Sequence, residues 1–299
     1  MSHSSRRDFD WRERRYAELH DEANGSGGGG VRHQTPHEPD RVRAYEDLDF
    51  MRSADARSLR VLAELTEPQF RLRQHGIEDT IVFFGSARIP APEEVDQRPE
   101  TAALARYYAD ARELSRRLTR WNLDGETERR FMVCSGGGPG IMEAVSRGAA
   151  DADGESVTFG IDIPHEPALN PYVSADLAFV FHYFFTRKFW FAYNAKAIIF
   201  FPGGFGTMDE MMEVMTLIQT GRVHKELGIL LYGTDFWRSV IDFEALVRHG
   251  VISQADLDCF EFVDDVDEAE VRLRTFLEEN YGPTLVEDQV SGSAAAAGD

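Results

Sequence analysis

Phe200-Phe201-Pro202-Gly203-Gly204-Phe205-Gly206-Thr207-Met208-Asp209-Glu210 is the stretch that decides how this chain is read. The apolar run Ala197 to Phe201 leads into it as a buried strand. After it, Met208, Met211, Met212, Met215 and Ile218 recur at three- and four-residue steps, the period of a helix. Between strand and helix lies a turn of three glycines and a threonine. Glycine permits positive φ and lets a ligand approach the backbone closely. The following helix starts with unpaired N–H groups and a partial positive charge, which suits a phosphate. Glu210 is expected inside the first helical turn. A carboxylate beside an anion cradle repels the ligand it would serve, so its presence points to chemistry rather than to binding alone.

Working outward, the same strand–glycine–helix grammar recurs. Thr80 to Ala87 reads as a strand ending in Gly85-Ser86, and Ala102 to Leu118 as a helix. Phe131 to Cys134 is a strand running into Ser135-Gly136-Gly137-Gly138-Pro139-Gly140, with a helix from about Ile141 to Ala150. Ser156 to Ile163 and Leu177 to Tyr183 are further strands, separated by a proline-rich loop. Phe184 to Asn194 is an aromatic helix carrying Arg187 and Lys188. Gly228 to Tyr232 is a strand, Phe236 to Val247 a helix and Ser253 to Leu257 a helical turn. A short strand over Phe260–Val263 and a closing helix from Val266 to Tyr281 follow. Alternating strands and helices predict an α/β fold: a Rossmann-like, doubly wound parallel sheet with helices on both faces. Ligands of such sheets bind beyond the carboxyl ends of the strands, so the Gly85-Ser86, Ser135–Gly140 and Gly203–Thr207 ends are expected to share one crevice.

The flanks read differently. Residues 1–38, with Gly25-Ser26-Gly27-Gly28-Gly29-Gly30, are expected to be disordered, and so is the small-residue tail over 286–299. Residues 39–78 form a helical extension, with one helical stretch from Ala44 to Arg73, ahead of a catalytic domain over 79–285.

Composition excludes several classes. The net charge of −20 over 299 residues disfavours nucleic acid and anionic membrane as partners. No apolar run reaches the roughly 20 residues that span a bilayer, and the N-terminus has no apolar core of a signal peptide. Cys134 and Cys259 both sit in apolar, strand-like runs and read as buried reduced thiols, which suits the cytoplasm. Lys188, Lys196 and Lys225 are the only lysines, which limits Schiff-base chemistry to three candidates.

The glycine loops are not the dinucleotide fingerprint, because Gly136, Gly138 and Gly140 fall at every second position. No nucleoside-triphosphate loop is present either. Anion binding by backbone N–H groups remains, which suits a monophosphate. Arg187 and Lys188 project about 100° apart on their helix, so one can face the crevice while the other meets acidic surface. Arg187 suits charge stabilisation or phosphate contact. Asp209 reads as a first-turn helix-stabilising acid. Asp162, His165 and Glu166 could imitate a metal cluster, but the spacing is not that of a metal site. No cofactor and no metal are expected.

At this point the residues resemble a known family. Pro202 to Glu210 matches P-G-G-x-G-T-x-x-E, a pattern of the Lonely Guy (LOG) nucleoside-monophosphate phosphoribohydrolases. Ser135 to Met142 is similar to that family's other glycine loop, Phe83 to Ser86 to its first strand end, and Arg187-Lys188 to its R-K helix. The resemblance covers roughly residues 80–285. It implies cleavage of the N-glycosidic bond of a nucleoside 5′-monophosphate, such as AMP or a cytokinin riboside monophosphate, to free base and ribose 5-phosphate. It implies a homodimer or higher homo-oligomer with the site near the subunit interface, and a role in cytokinin biosynthesis or as an AMP nucleosidase. The catalytic pair falls on Arg187 and Glu210. Substrate and phosphate contacts are expected from Gly85, Ser86, Gly136, Gly137, Gly138, Met142, Lys188, Gly203, Gly204, Gly206 and Thr207. The long N-terminal extension, the expanded loop from Ile89 to Glu100 and the His165–Pro171 segment depart from the short family members. A non-catalytic nucleotide binder on the same fold is the rival expectation.

Overall fold

A computed structural model of the chain describes residues 42–125, 131–162 and 168–282. The segments expected to be disordered, 1–38 and 286–299, and His165 and Glu166 lie outside the described residues. A compact unit begins at Ala54. Ahead of it, the short helix α1 (Leu48–Arg52) is capped by the Asp47 carboxylate, which accepts from the Asp49 and Phe50 amides.

Among the described residues, seven strands form one parallel sheet: β1 (Asp79–Phe84), β2 (Phe131–Ser135), β3 (Val157–Ile161), β4 (Ala178–Phe181), β5 (Ala195–Phe200), β6 (Gly228–Tyr232) and β7 (Glu261–Val263). Their spatial order is β4-β3-β2-β1-β5-β6-β7. The chain winds outward from β1 to β4, returns to lay β5 against β1, and winds outward the other way. The switch point therefore lies between β1 and β5, whose carboxyl ends are the Gly85-Ser86 and Gly203-Gly204 loops. Phe84 pairs in register with Phe200, and Phe201 N–H donates to Phe84 O at 2.8 Å.

The strands are apolar on both faces because both faces are covered. Ile81 and Phe83 of β1 point into one core and Val82 and Phe84 into the other, the period of two that a pleated strand imposes. Helices α3 (Ala105–Asp124), α4 (Ile141–Asp151) and α9 (Val266–Tyr281) cover the first face. Helices α2 (Arg57–Gln74), α5 (Phe184–Asn194), α6 (Phe205–Gln219), α7 (Thr234–Val240) and α8 (Phe243–Arg248) cover the second.

Several expected elements are corrected. The stretch from Ala44 to Arg73 is two helices, broken between Arg52 and Arg57. Leu59 and Leu62 are exposed, and Pro68 and Leu72 are the buried residues of α2. The helix expected from Ala102 begins at Ala105, after a 3-10 turn over Pro99–Leu104, and continues to Asp124. The helix expected over Phe236–Val247 is two, because Asp242 turns its side chain onto the Ala245 amide and starts α8 afresh. Strand β4 stops at Phe181, and the next two N–H groups, of His182 and Tyr183, go to the Glu64 carboxylate instead. Cys134 is buried in β2, but Cys259 is only half-buried and ends a 3-10 turn rather than lying in a strand. Among the described residues, no helix is long and apolar enough to cross a membrane.

Candidate active site

Three loops meet at the switch point, and the backbone of Ser86 joins them. Its N–H donates to Pro202 O at 3.0 Å, and its carbonyl accepts from Ile141 N at 3.2 Å. The close approach needs glycines at two places. A Cβ on Gly85 would lie 2.6 Å from the Ile141 side chain. One on Gly140, whose φ is +68°, would collide with Ser86 O.

The loops wall a cavity of about 670 Å³, within the size range of small-molecule sites. Gly85, Ser86, Gly136, Gly138, Met142, Arg187, Gly204, Gly206, Thr207 and Glu210 line it. Gly137, Gly203 and Lys188, expected among the ligand contacts, do not. Gly203 stands behind the wall, where a Cβ would collide with Thr207 Oγ1; its bareness makes room for the threonine. Lys188 pairs with Asp209 at 2.7 Å and Glu213 at 3.0 Å. That is the acidic-surface alternative for one member of the Arg187–Lys188 pair, and it ties α5 to α6.

Helix α6 begins at Phe205, so Asp209 and Glu210 lie in its second turn and not its first. Gly204, extended at φ −94° and ψ −150°, is the N-cap and offers no side chain to the first N–H groups. The first amides of the helix have no intrahelical acceptor, and Gly204, Gly206 and Thr207 line the cavity, an arrangement of the kind that suits an anion. One turn further in, Glu210 is 8% exposed. Burial pushes its carboxyl up to about 7, although the Arg187 and Lys188 charges pull it down. No side chain hydrogen-bonds to that carboxylate among the described residues, so its oxygens are open to water or ligand.

Arg187 comes from the opposite wall. Its Nε donates to Phe159 O of β3 at 2.7 Å, and its guanidinium lies 5.0 Å from the centroid of Phe191. These contacts fix the plane of the fork. Gly136 leaves space for it, since a Cβ there would lie 2.6 Å from Arg187 Nη2. Phe84, Ile161, Leu169, Phe184 and Phe205 give the wall its apolar part, and the charged Arg88 and Asp209 also line it. Among the described residues, no group of three or more His, Cys, Asp or Glu side chains is placed to hold a metal ion.

Two residues of the site escaped the sequence reading. Arg88 lines the cavity with its side chain exposed and without a partner among the described residues. The signal was there, an arginine two residues past Gly85-Ser86, but nothing in the spacing separates it from a surface arginine. Asn170 is buried and clamps the second glycine loop, donating Nδ2 to Gly137 O at 3.0 Å and Gly138 O at 3.2 Å. It lies 30 residues past Gly140, and no local pattern connects the two.

A family model described as "Possible lysine decarboxylase" matches residues 142–273. The lysines do not fit that description. None lines the cavity: Lys188 is paired as above, Lys196 lies 3.3 Å from Asp79, and Lys225 donates to Ala192 O and Tyr193 O. A Schiff base therefore has no amine in this site. The chain is similar to the probable cytokinin riboside 5′-monophosphate phosphoribohydrolase LOG4 of Oryza sativa subsp. japonica, 29% identical over 200 residues, spanning 64% of this chain and 80% of the relative. It is also similar to the cytokinin riboside 5′-monophosphate phosphoribohydrolase LOG2 of Arabidopsis thaliana, 31% identical over 150 residues, 49% of this chain and 65% of the relative. Among solved structures, the molybdenum cofactor carrier protein of Chlamydomonas reinhardtii is similar at 16% identity and a TM-score of 0.45, over 67% of this chain and 98% of that one. The motif order, the family model and the curated relatives agree: the chain is similar to the Lonely Guy phosphoribohydrolases.

Proposed function

We propose that this chain hydrolyses the N-glycosidic bond of a nucleoside 5′-monophosphate, releasing the free base and ribose 5-phosphate. The observation that carries it is Glu210: a buried carboxylate with no hydrogen-bonding side chain among the described residues, one turn inside the helix whose N-terminus lines the same cavity. The 5′-phosphate sits at the amides of Gly204 to Thr207. As the bond from C1′ to the base nitrogen breaks, positive charge grows on the ribose ring. Ionised Glu210 stabilises that charge and takes a proton from the attacking water, whose oxygen bonds to C1′. Arg187 orients the substrate and offsets the charge that leaves with the base, which then picks up a proton. AMP and cytokinin riboside monophosphates are the substrates of choice, with the apolar wall of Ile161, Leu169 and Phe184 facing the base.

Incubation with a panel of nucleoside monophosphates, followed by chromatography for free base, tests the reaction. Base release from at least one is expected, and from none of the matching nucleosides at comparable rate, because the phosphate supplies binding energy used at C1′. Nucleotide binding without base release would make the protein a binder instead. The active form has Glu210 ionised, and the free protein holds that group at about 7 rather than its ordinary 4.5. The profile of kcat/KM should therefore rise with pH to a plateau above 7 and fall about tenfold per pH unit below it. A profile with no ionisation between pH 4 and 8 would remove Glu210 from the role.

The assembly we infer is a homodimer through α5. Phe184, Phe185, Phe189 and Tyr193 of that helix are exposed, a contiguous aromatic stripe of the kind that marks an interaction site. Phe184 also lines the cavity, which supports a site whose mouth adjoins that inferred interface. Light scattering should give twice the chain mass, and Phe185→Glu combined with Phe189→Glu should give a single chain. A monomeric wild type would refute the dimer.

A further inference from the structure

Helix α2 lies outside the 80–285 region that carries the family motifs, yet one of its residues grips the helix bearing Arg187 in two ways. The Glu64 carboxylate accepts from His182 N at 2.9 Å, from Tyr183 N at 3.3 Å and from the Thr186 hydroxyl at 2.6 Å. It thus sits at the N-terminus of α5, whose N-cap residue Tyr183 contributes no side-chain cap of its own. A negative charge there satisfies unpaired amides and complements the helix dipole. The second grip is the Glu64 backbone carbonyl, which accepts from Trp190 Nε1 at 2.8 Å. That carbonyl is free for a reason written in the sequence. Its intrahelical partner would be the N–H of residue 68, and residue 68 is a proline within α2. Pro68 opens one hydrogen-bonding position in its helix, and a buried tryptophan of α5 fills it.

Glu64 therefore fixes both ends of the turns that carry Arg187, which follows Thr186 directly and precedes Trp190 by three residues. We propose that Glu64 is a positioning residue for the Arg187 guanidinium, and that Pro68 serves it by exposing the Glu64 carbonyl. Arg71 reinforces the same seam, donating Nη1 to Ala178 O of β4 at 2.9 Å, with its guanidinium 3.9 Å from the centroid of Phe179. The inference rests on the hydrolase reading for its kinetic consequence, but not for its structural one.

The test uses the full chain, assayed well below the melting temperature of every variant. Glu64→Ala should lower kcat on the order of tenfold to a hundredfold, as a displacement near 1 Å does, with little change in KM. Glu64→Gln should recover part of that, since its amide oxygen still accepts while its NH₂ group cannot. Pro68→Ala separates positioning from stability. It returns an N–H to compete for the Glu64 carbonyl while improving helix propensity, so the melting temperature should hold or rise as kcat falls. A lowered melting temperature with unchanged kcat in Glu64→Ala would make the residue merely structural and overturn the proposal. Hydrogen exchange at residues 182–187 gives an arm independent of catalysis. Faster exchange in Glu64→Ala is expected, and unchanged exchange overturns the proposal. If exchange rises but the wild-type chain releases no base from any nucleotide, the hydrolase reading fails and the Glu64 clamp stands.

Discussion

Glu210→Gln should abolish base release, by at least about a thousandfold, while making the protein more stable at pH 8. The two effects have one origin. The carboxyl is buried against its own desolvation, and its folded value of about 7 stands above the ordinary 4.5. Between those two values the folded chain holds a proton that the unfolded chain has released. Stability contributed by the protonated group is thus complete below 4.5 and is lost as pH rises through 7. At pH 8 the ionised group costs about 3 kcal/mol, because each pH unit separating the two values is worth about 1.4 kcal/mol. Glutamine has the same shape and no charge to desolvate. Its melting temperature should exceed the wild type's by several degrees at pH 8, with the gap closing toward pH 5. Calorimetry at the two pH values reads the stability arm, and chromatography for free base reads the other. Near-normal turnover in the variant would end the assignment of Glu210 as the group that meets the sugar. A stable but inactive variant is also the natural vehicle for nucleotide binding measurements.

The second large effect is expected from Gly140→Ala, a change of one methyl group outside the residues that line the cavity. At φ +68° and ψ −130° the backbone there occupies a region open essentially to glycine, worth about 1–3 kcal/mol for any other residue. The added Cβ would also collide with Ser86 O and lie 2.8 Å from the Ala87 carbonyl carbon. Those atoms have nowhere to go, because Ser86 N–H is tied to Pro202 O on the far side. Relief requires parting the first and second loops, which breaks the bond from Ile141 N to Ser86 O and opens the cavity wall they share. A loss of about 3 kcal/mol or more is expected, read by urea unfolding, with activity falling further than stability. Gly204→Ala is the control: nothing lies within 4 Å of its Cβ position, so a comparable loss of stability there would show that the collision is not the cause.

Both predictions use residues that were readable from the chain alone, and the reason is distance. Strand, glycine turn and helix are encoded within a dozen residues, as in Phe200 to Glu210, so apolar period and turn composition suffice to place Gly204, Thr207 and Glu210 together. The same holds for Gly136 to Met142. Arg187 was readable only as one of a pair. Whether it or Lys188 faced the crevice depended on the rotation of α5, and Glu64 and Trp190 set that rotation from 126 residues apart.

The alternation of strands and helices, the three glycine ends and the place of Glu210 just past the last of them are legible in the chain alone, because they follow from local period, backbone freedom and side-chain chemistry. Packing sets the rest: Lys188 pairs with Asp209 and Glu213 instead of lining the cavity, Asn170 clamps the loop of Gly137, Arg88 lines the cavity, and α2 holds the helix of Arg187. Except for Arg88, each of these depends on which distant side chain fills an unpaired hydrogen bond or offsets a charge. Such partners are chosen by packing across the sheet and between layers, where separation along the chain carries no information.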